Sequence, residues 1–267
     1  MIAPVAGRTQ KSFLQPLFDN LERVHFPASR FSEPKPGQVT AQFFQSRLTS
    51  VFEPVVRASD RGTIGHYALL RVFDEGGEPV APWGVFAQAS RDAMLVQLDR
   101  LTRTVHALNY FPRRPEGTLF LNVEPRLLKI VADGHGAYFE LILGILEIDP
   151  RRIAIVLPAA ILDDPVTFVR AAISYRMRGY QIVALMRPDI EADLEHVFIA
   201  EPHFVSLDAP AAIHVDEARR NVEALSRRGI HAIARHVEDE AGAKAAVAAR
   251  FQYLQGRHFI SNLTAIA

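Results

Sequence analysis

The sequence predicts an α/β fold: a closed, TIM-like (β/α)8 barrel whose first strand runs antiparallel to the rest. Three observations lead there. From residue 118 onward, apolar strand-like runs alternate with amphipathic helical runs. The middle strands are continuously apolar, as burial of both faces in a parallel sheet requires. The first two strands are joined by SDRG at 59–62, which is long enough only for an antiparallel pair. A doubly wound open sheet is the alternative, but no Gly-rich dinucleotide fingerprint opens a helix after a strand.

Taken in order, residues 1–45 read as an N-terminal extension and 46–267 as the barrel domain. KSFLQPLFDNLERV places Phe13, Leu14, Leu17, Phe18, Leu21 and Val24 near helical spacing, interrupted by Pro16. A short helix packed on the main domain is expected, with a separate partner-binding helix as the alternative. HFPASRFSEPKPGQ then reads as an irregular, proline-rich linker. TSVFEPVVRA and TIGHYALLRV are the antiparallel pair, and a long helical stretch spans about 83–110. The remaining strands are TLFLNV (118–123), RIAIVL (152–157), QIVALM (181–186), HFVSLD (203–208), IHAIAR (230–235) and YLQGRHF (253–259). The helices between them include AYFELILGILE, DPVTFVRAAISYRMRG, HVDEARRNVEALSRRG and DEAGAKAAVAARFQ.

Composition narrows the chemistry. Of 267 residues, 30 are Lys or Arg and 30 Asp or Glu, so no net field gathers a nucleic acid polymer or an anionic membrane. With no cysteine, disulfides, thiolate metal sites and a thiol nucleophile are excluded. No basic start precedes an apolar run, and the longest apolar stretches are too short to span a bilayer, so a cytoplasmic location is expected. Lysine occurs only at 11, 35, 129 and 244, which leaves few candidates for a lysine-dependent mechanism. The ten histidines form no short metal-binding pattern.

Several segments, in order, resemble EAL domains, the cyclic di-GMP phosphodiesterase family. VFEPVVRASDRGTIGHYALLRV resembles the family's opening pair of strands, the second of which carries Glu-Ala-Leu-Leu-Arg. LFLNVEP resembles its Asn-bearing strand, HFVSLD its Lys-(apolar)-Asp strand, IHAIARHVED its Ala-Glu-Gly-Val-Glu-Thr segment and FQYLQGRHF its Gln-Gly strand. RRIAIVLPAAIL and GYQIVALMRP stand where its Glu-x-Thr-Glu and Asp-Asp-Phe-Gly strands belong. The resemblance covers roughly residues 48–260 and implies the barrel with its antiparallel first strand.

The resemblance also implies a two-metal hydrolase in which carboxylates hold two divalent cations and a lysine assists. Tyr67, Val156, Ala159, Leu185, Met186, Ser206 and Arg235 stand at those carboxylate and lysine positions, while Asn122, Asp208, Glu238 and Gln255 are retained. Hard cations need oxygen ligands and negative charge. A realigned Asp163 or Asp189 would restore one ligand of several. The expectation is therefore a degenerate member with no catalytic residue, no resident Mg²⁺ or Mn²⁺ and no phosphodiesterase activity.

Leu69, Arg71, Pro82 and Asp99 match non-metal positions of the family's nucleotide site. Together with Asn122, Asp208, Arg235, Glu238 and Gln255 they make a candidate cyclic di-GMP pocket, in which Arg71 and Arg235 can pair with phosphate. Each has a structural reading as well. Asn122 can satisfy a strand end, Asp208 can cap a helix or pair with an arginine, Glu238 can start a helix and Gln255 can mark a turn. Glu53 carries charge where the family has Gln before Pro54, and Tyr67 is a bulky filler or a stacking face. The leading expectation is a catalytically silent signalling domain that contacts a regulatory protein in cyclic di-GMP-related regulation. The alternatives are a metal-independent cyclic di-GMP effector and, behind it, an active barrel hydrolase. A homodimer is left open.

Overall fold

The computed structural model describes residues 14–114, 116–131, 134–187, 194–209 and 214–260. Helix α1 (Gln15–Asn20) carries Pro16 in its first turn, where a missing N–H is no loss. The proline therefore starts the helix rather than interrupting it. The chain continues through a wider turn at Leu21–His25. Phe18 and Leu21 are fully buried, the Phe18 ring stacks on Phe31 at 5.8 Å, and His25 Nδ1 lies 3.0 Å from the Tyr138 hydroxyl. The described part of the extension packs on the main domain, with its apolar face inward.

The stretch expected to be an irregular linker contributes a β-hairpin instead. Strands β1 (Phe31–Lys35) and β2 (Gln38–Phe43) pair antiparallel, and β2 pairs with β3 (Ser46–Arg57). Proline content argued against strands, but β1 is an edge strand, where Pro34 has no ladder bond to lose. Gly37 turns the hairpin at φ +72°. Residue 45 thus lies inside a continuous β-meander.

Strand β3 pairs antiparallel with β4 (Thr63–Phe73), from Arg47 opposite Phe73 to Val56 opposite Thr63. After the short β5 (Pro79–Val80), the single helix expected over 83–110 is two, α2 (Pro82–Gln88) and α3 (Asp92–Tyr110). Arg91 between them is extended at ψ 142°, so α3 starts afresh. Strand–helix units follow: β6 (Thr118–Asn122), α4 (Pro125–Ile130), α5 (Ala137–Ile145), β7 (Ile153–Leu157), α6 (Pro165–Arg176), β8 (Gln181–Leu185) and α7 (Leu194–Ala200). The last are β9 (Phe204–Asp208), α8 (Val215–Ser226), β10 (His231–Arg235), α9 (Glu240–Ala248) and β11 (Tyr253–Gln255).

The ring closes in the order β3-β4-β6-β7-β8-β9-β10-β11 and back to β3. Only β3 is antiparallel to both of its neighbours, β4 and β11. The predicted eight-stranded barrel and its reversed first strand are both present. Inside it, Val55, Tyr67, Phe120, Ala154, Val156, Val183, Phe204 and Ile233 pack together, each less than a tenth exposed. A separate apolar shell joins the outer face of the barrel to its helices. Strands β3 and β4 have 12 and 11 residues, against 5 in β6 to β10, so their paired ends project past the barrel at the carboxyl end of β4.

Candidate functional site at the barrel mouth

The carboxyl ends of the parallel strands make the mouth, and ionic and hydrogen-bonded pairs bridge it. Arg235, at the end of β10, donates through Nε to Asp208 of β9 at 2.6 Å; the two are register partners across the ladder. His236 Nδ1 lies 2.9 Å from the same carboxylate. Gln255, at the end of β11, donates its amide to Glu53 of β3 in a short hydrogen bond. Gly256 at φ +154° lies so close to Val237 that a Cβ there would fall inside its backbone, and this fixes the end of β11. Glu238 lies outside the mouth proper, paired with Arg257 at 2.9 Å ahead of α9, whose N-cap is Asp239.

Tyr67 projects from β4 into the barrel and stacks on Phe120, with centroids 4.9 Å apart and 22° between planes. Its hydroxyl is buried facing that of Ser206, which is also buried, without a well-formed hydrogen bond between them. Burial pushes the Tyr67 phenol up to about 12, against the pull of Ser206 and Arg235. Met186 is buried at the end of β8, and Leu185 packs against the barrel interior. Among the described residues no group of three His, Asp or Glu side chains is placed to hold a metal ion. Asp163 is an exposed partner of Arg187 at 2.6 Å, and Asp189 lies outside the described residues.

Beside the mouth, between the projecting end of β4 and α3, is a cavity of about 430 Å³. It brings together Leu69, Arg71, Pro82, Asp99 and Asn122 of the nine candidates, and leaves Asp208, Arg235, Glu238 and Gln255 outside. Arg71 is exposed and makes no ion pair among the described residues. Asp99 is not free: it is 5% exposed and held at 2.8 Å by Arg103, itself 3% exposed. Burial pushes the Asp99 carboxyl up, and Arg103 pulls it back.

The sequence reading missed Thr102, Arg103 and His106, which also line the cavity. They stand three, four and seven residues after Asp99, so the helical repeat of α3 was the signal that would have found them. His106 bonds Ser50 at 2.7 Å, and burial pulls its imidazole down to about 3. His66 packs beside Tyr110, its ring 3.3 Å from the phenol oxygen, as a packing residue.

A model of the EAL domain family matches residues 38–262. The chain belongs to the EAL domain family. Three solved structures show what its fold is similar to. The EAL enzyme Bd1971, in its cAMP- and cyclic-di-GMP-bound form, aligns with a TM-score of 0.67 at 15% identity, over 80% of this chain and 61% of that one. The Bacillus subtilis protein YkuI, in complex with substrate cyclic di-GMP and calcium, gives 0.66 at 17% identity, over 80% and 55%. The EAL domain of FimX from Pseudomonas aeruginosa, bound to cyclic di-GMP, gives 0.68 at 15% identity, over 78% and 88%. The alignments span less than two thirds of Bd1971 and YkuI. No curated protein matches the chain. EAL domains are related to cyclic di-GMP signalling proteins, and among the described residues of this one no helix is long and apolar enough to cross a membrane.

Proposed function

We propose that this EAL domain does not hydrolyse cyclic di-GMP and acts in cyclic di-GMP-related regulation through contact with a regulatory protein. The observation that carries this reading is the filled mouth. A guanidinium, Arg235, already satisfies Asp208, and the amide of Gln255 satisfies Glu53. Below them lie Tyr67, Val156 and Val183. A two-metal hydrolase needs several carboxylates converging on two hard cations. Here the facing donors are an amide, two hydroxyls and two carboxylates with partners of their own. The residues present do not fit a metal pair.

Protein contact is supported by an apolar face on α6 and α7, where Val166, Ile173, Met177 and Ile199 are exposed beside one another. Such a face favours burial against another surface.

A second reading, metal-free binding of cyclic di-GMP, is favoured by the cavity at Arg71. Its walls are partly apolar, through Leu69, Pro82 and Phe86, and its guanidinium is not engaged by an acid. Asp99 would meet a nucleotide only as a carboxylate already paired with Arg103.

Titration of the protein with cyclic di-GMP, with and without Mg²⁺ or Mn²⁺, followed by product analysis, separates the readings. No heat and no product supports the interaction domain. Heat without product, reduced about 10- to 100-fold in Arg71→Ala, supports the effector, since a charge-assisted phosphate contact contributes about 1.5–3 kcal/mol. Metal-dependent product refutes both.

A further inference from the structure

A second cavity, of about 450 Å³, lies on the outer side of α3 between that helix, α5 and α6, away from the barrel mouth. It shares a wall with the first, because Asp99 and Arg103 line both. Among the described residues three guanidiniums line it, those of Arg100, Arg103 and Arg178, against two carboxylates, those of Asp99 and Glu140. Both acids have partners: Arg103 holds Asp99 at 2.8 Å, and Arg178 holds Glu140 at 2.7 Å. One positive charge is left over, on Arg100.

Arg100 is half-buried over the Tyr138 ring, its guanidinium carbon 3.8 Å from the centroid. Its N–H groups donate to no side chain or carbonyl among the described residues. Two more donors are orphaned: the Nε groups of Arg103 and Arg178 are buried with no acceptor among the described residues. Arg103 is 3% exposed, and its other bonds go to Asp99 and, at 3.3 Å, to the Tyr175 hydroxyl. The nine-residue helix α5 begins at the same cavity with Gly136 as N-cap and no side chain capping it. Its first-turn N–H groups add positive potential there. Apolar side chains, Leu127 and Leu141 among them, complete the lining.

We propose that this cavity is a binding site for a small organic anion: a carboxylate or phosphate monoester on an apolar, preferably aromatic, body. The anionic group meets the N–H groups of Arg100 and the amino end of α5, with the buried Arg103 and Arg178 guanidiniums adding positive charge behind them, and the body lies against Tyr138 and the leucines. Planar, forked donors match both kinds of oxyanion. The volume lies in the range that encloses a small ligand. The site is independent of the nucleotide cavity and of whether cyclic di-GMP binds there.

Calorimetric titration of the full chain with phenyl phosphate, benzoate, inorganic phosphate and benzylamine tests it. Phenyl phosphate or benzoate is expected to bind, the better of the two naming the oxyanion, with inorganic phosphate weaker and benzylamine silent. Arg100→Met should weaken the binding at least tenfold. Glu140→Gln should tighten it several-fold, because it removes a carboxylate from the wall and frees Arg178; this gain survives any doubt about folding in the Arg100 variant. Arg71→Ala should leave it unchanged. Absence of binding by every anion at millimolar concentration overturns the site. So does binding indifferent to both Arg100→Met and Glu140→Gln, or binding lost in Arg71→Ala.

Discussion

Replacing Arg103 with methionine should destabilise the fold by about 3–5 kcal/mol, the cost of leaving a carboxylate buried without its cation. The geometry sets this near the upper end of what one surface-remote pair can do. Arg103 and Asp99 are 3% and 5% exposed, so water cannot replace the lost partner. The pair makes contacts at 2.8 and 3.1 Å to the two carboxylate oxygens, and a third bond runs from Arg103 to Tyr175. Methionine replaces the apolar stem but not the guanidinium, so the loss is mainly that of the charge and its hydrogen bonds. The pH dependence carries the signature. Burial already pushes the Asp99 carboxyl up, and without Arg103 its largest counterweight is gone, leaving only the Glu124 N–H and the more distant Arg100 to pull it back. An acid whose folded pKa lies above its unfolded value holds more protons folded, so stability falls as pH rises between the two. The variant should therefore lose less stability at pH 5 than at pH 8. Urea unfolding followed by circular dichroism at both pH values measures this. Asp99→Leu combined with Arg103→Met should recover more than half of the loss, since no buried charge remains. A single-variant cost below 1 kcal/mol, or a double variant as poor as the two single losses added, would refute the reasoning.

Four further outcomes follow from the same structure. Tyr67→Ala should cost about 3–5 kcal/mol in urea unfolding, as for other buried aromatic truncations, because the ring fills the barrel against Phe120. Tyr67→Phe should change stability by less than about 1 kcal/mol, because its buried hydroxyl faces only that of Ser206 and makes no well-formed hydrogen bond. His106, pulled down to about 3, and His66, to about 4, are both neutral when folded; each takes a proton on unfolding below pH 6.5, so stability should drop as pH falls from 6.5. Each adds at most about 1.4 kcal/mol per pH unit, and His106→Gln should remove one such slope from the pH 6 to 5 range. Millimolar Mg²⁺ or a chelator should leave the melting temperature unchanged within about 1 °C, because a ligand that binds only the folded state would raise it.

The barrel was legible in the sequence because continuous apolar runs such as IAIVL and QIVAL leave little choice except a strand buried on both faces. The reversed first strand was legible from one turn, SDRG, where Asp60 now accepts from the Gly62 N–H at 2.9 Å. What escaped was information that depends on position in space. Pro34 and Pro36 outweighed the alternating pattern around them, since nothing in the sequence marks an edge strand. The break at Ser90–Arg91 was hidden by apolar residues on both sides that keep helical spacing. The candidate pocket divided because register, which composition does not encode, decides which strand ends face one another. Arg71 and Asn122 face the α3 cavity, whereas Asp208 and Arg235 are ladder partners that meet each other. The structural alternative for Asp208, pairing with an arginine, is the one realised.

Along each parallel strand, alternate residues face inward. Ala154 and Val156 on β7, Phe204 and Ser206 on β9, and Ile233 and Arg235 on β10 form such pairs. The lower member of each packs the barrel. The upper member sets the chemistry of the mouth, although Val156 and Ser206 are themselves about 1% exposed and still belong to the packing. A ring of carboxylates there would repel itself unless cations were bound. Val156 and Leu185 contribute no charge, and Arg235 supplies internally the positive charge that Asp208 needs, at 2.6 Å. The polar chemistry still open to small molecules has moved to α3, whose 99–103–106 face and 96–100–103 face look into two different cavities across one buried ion pair.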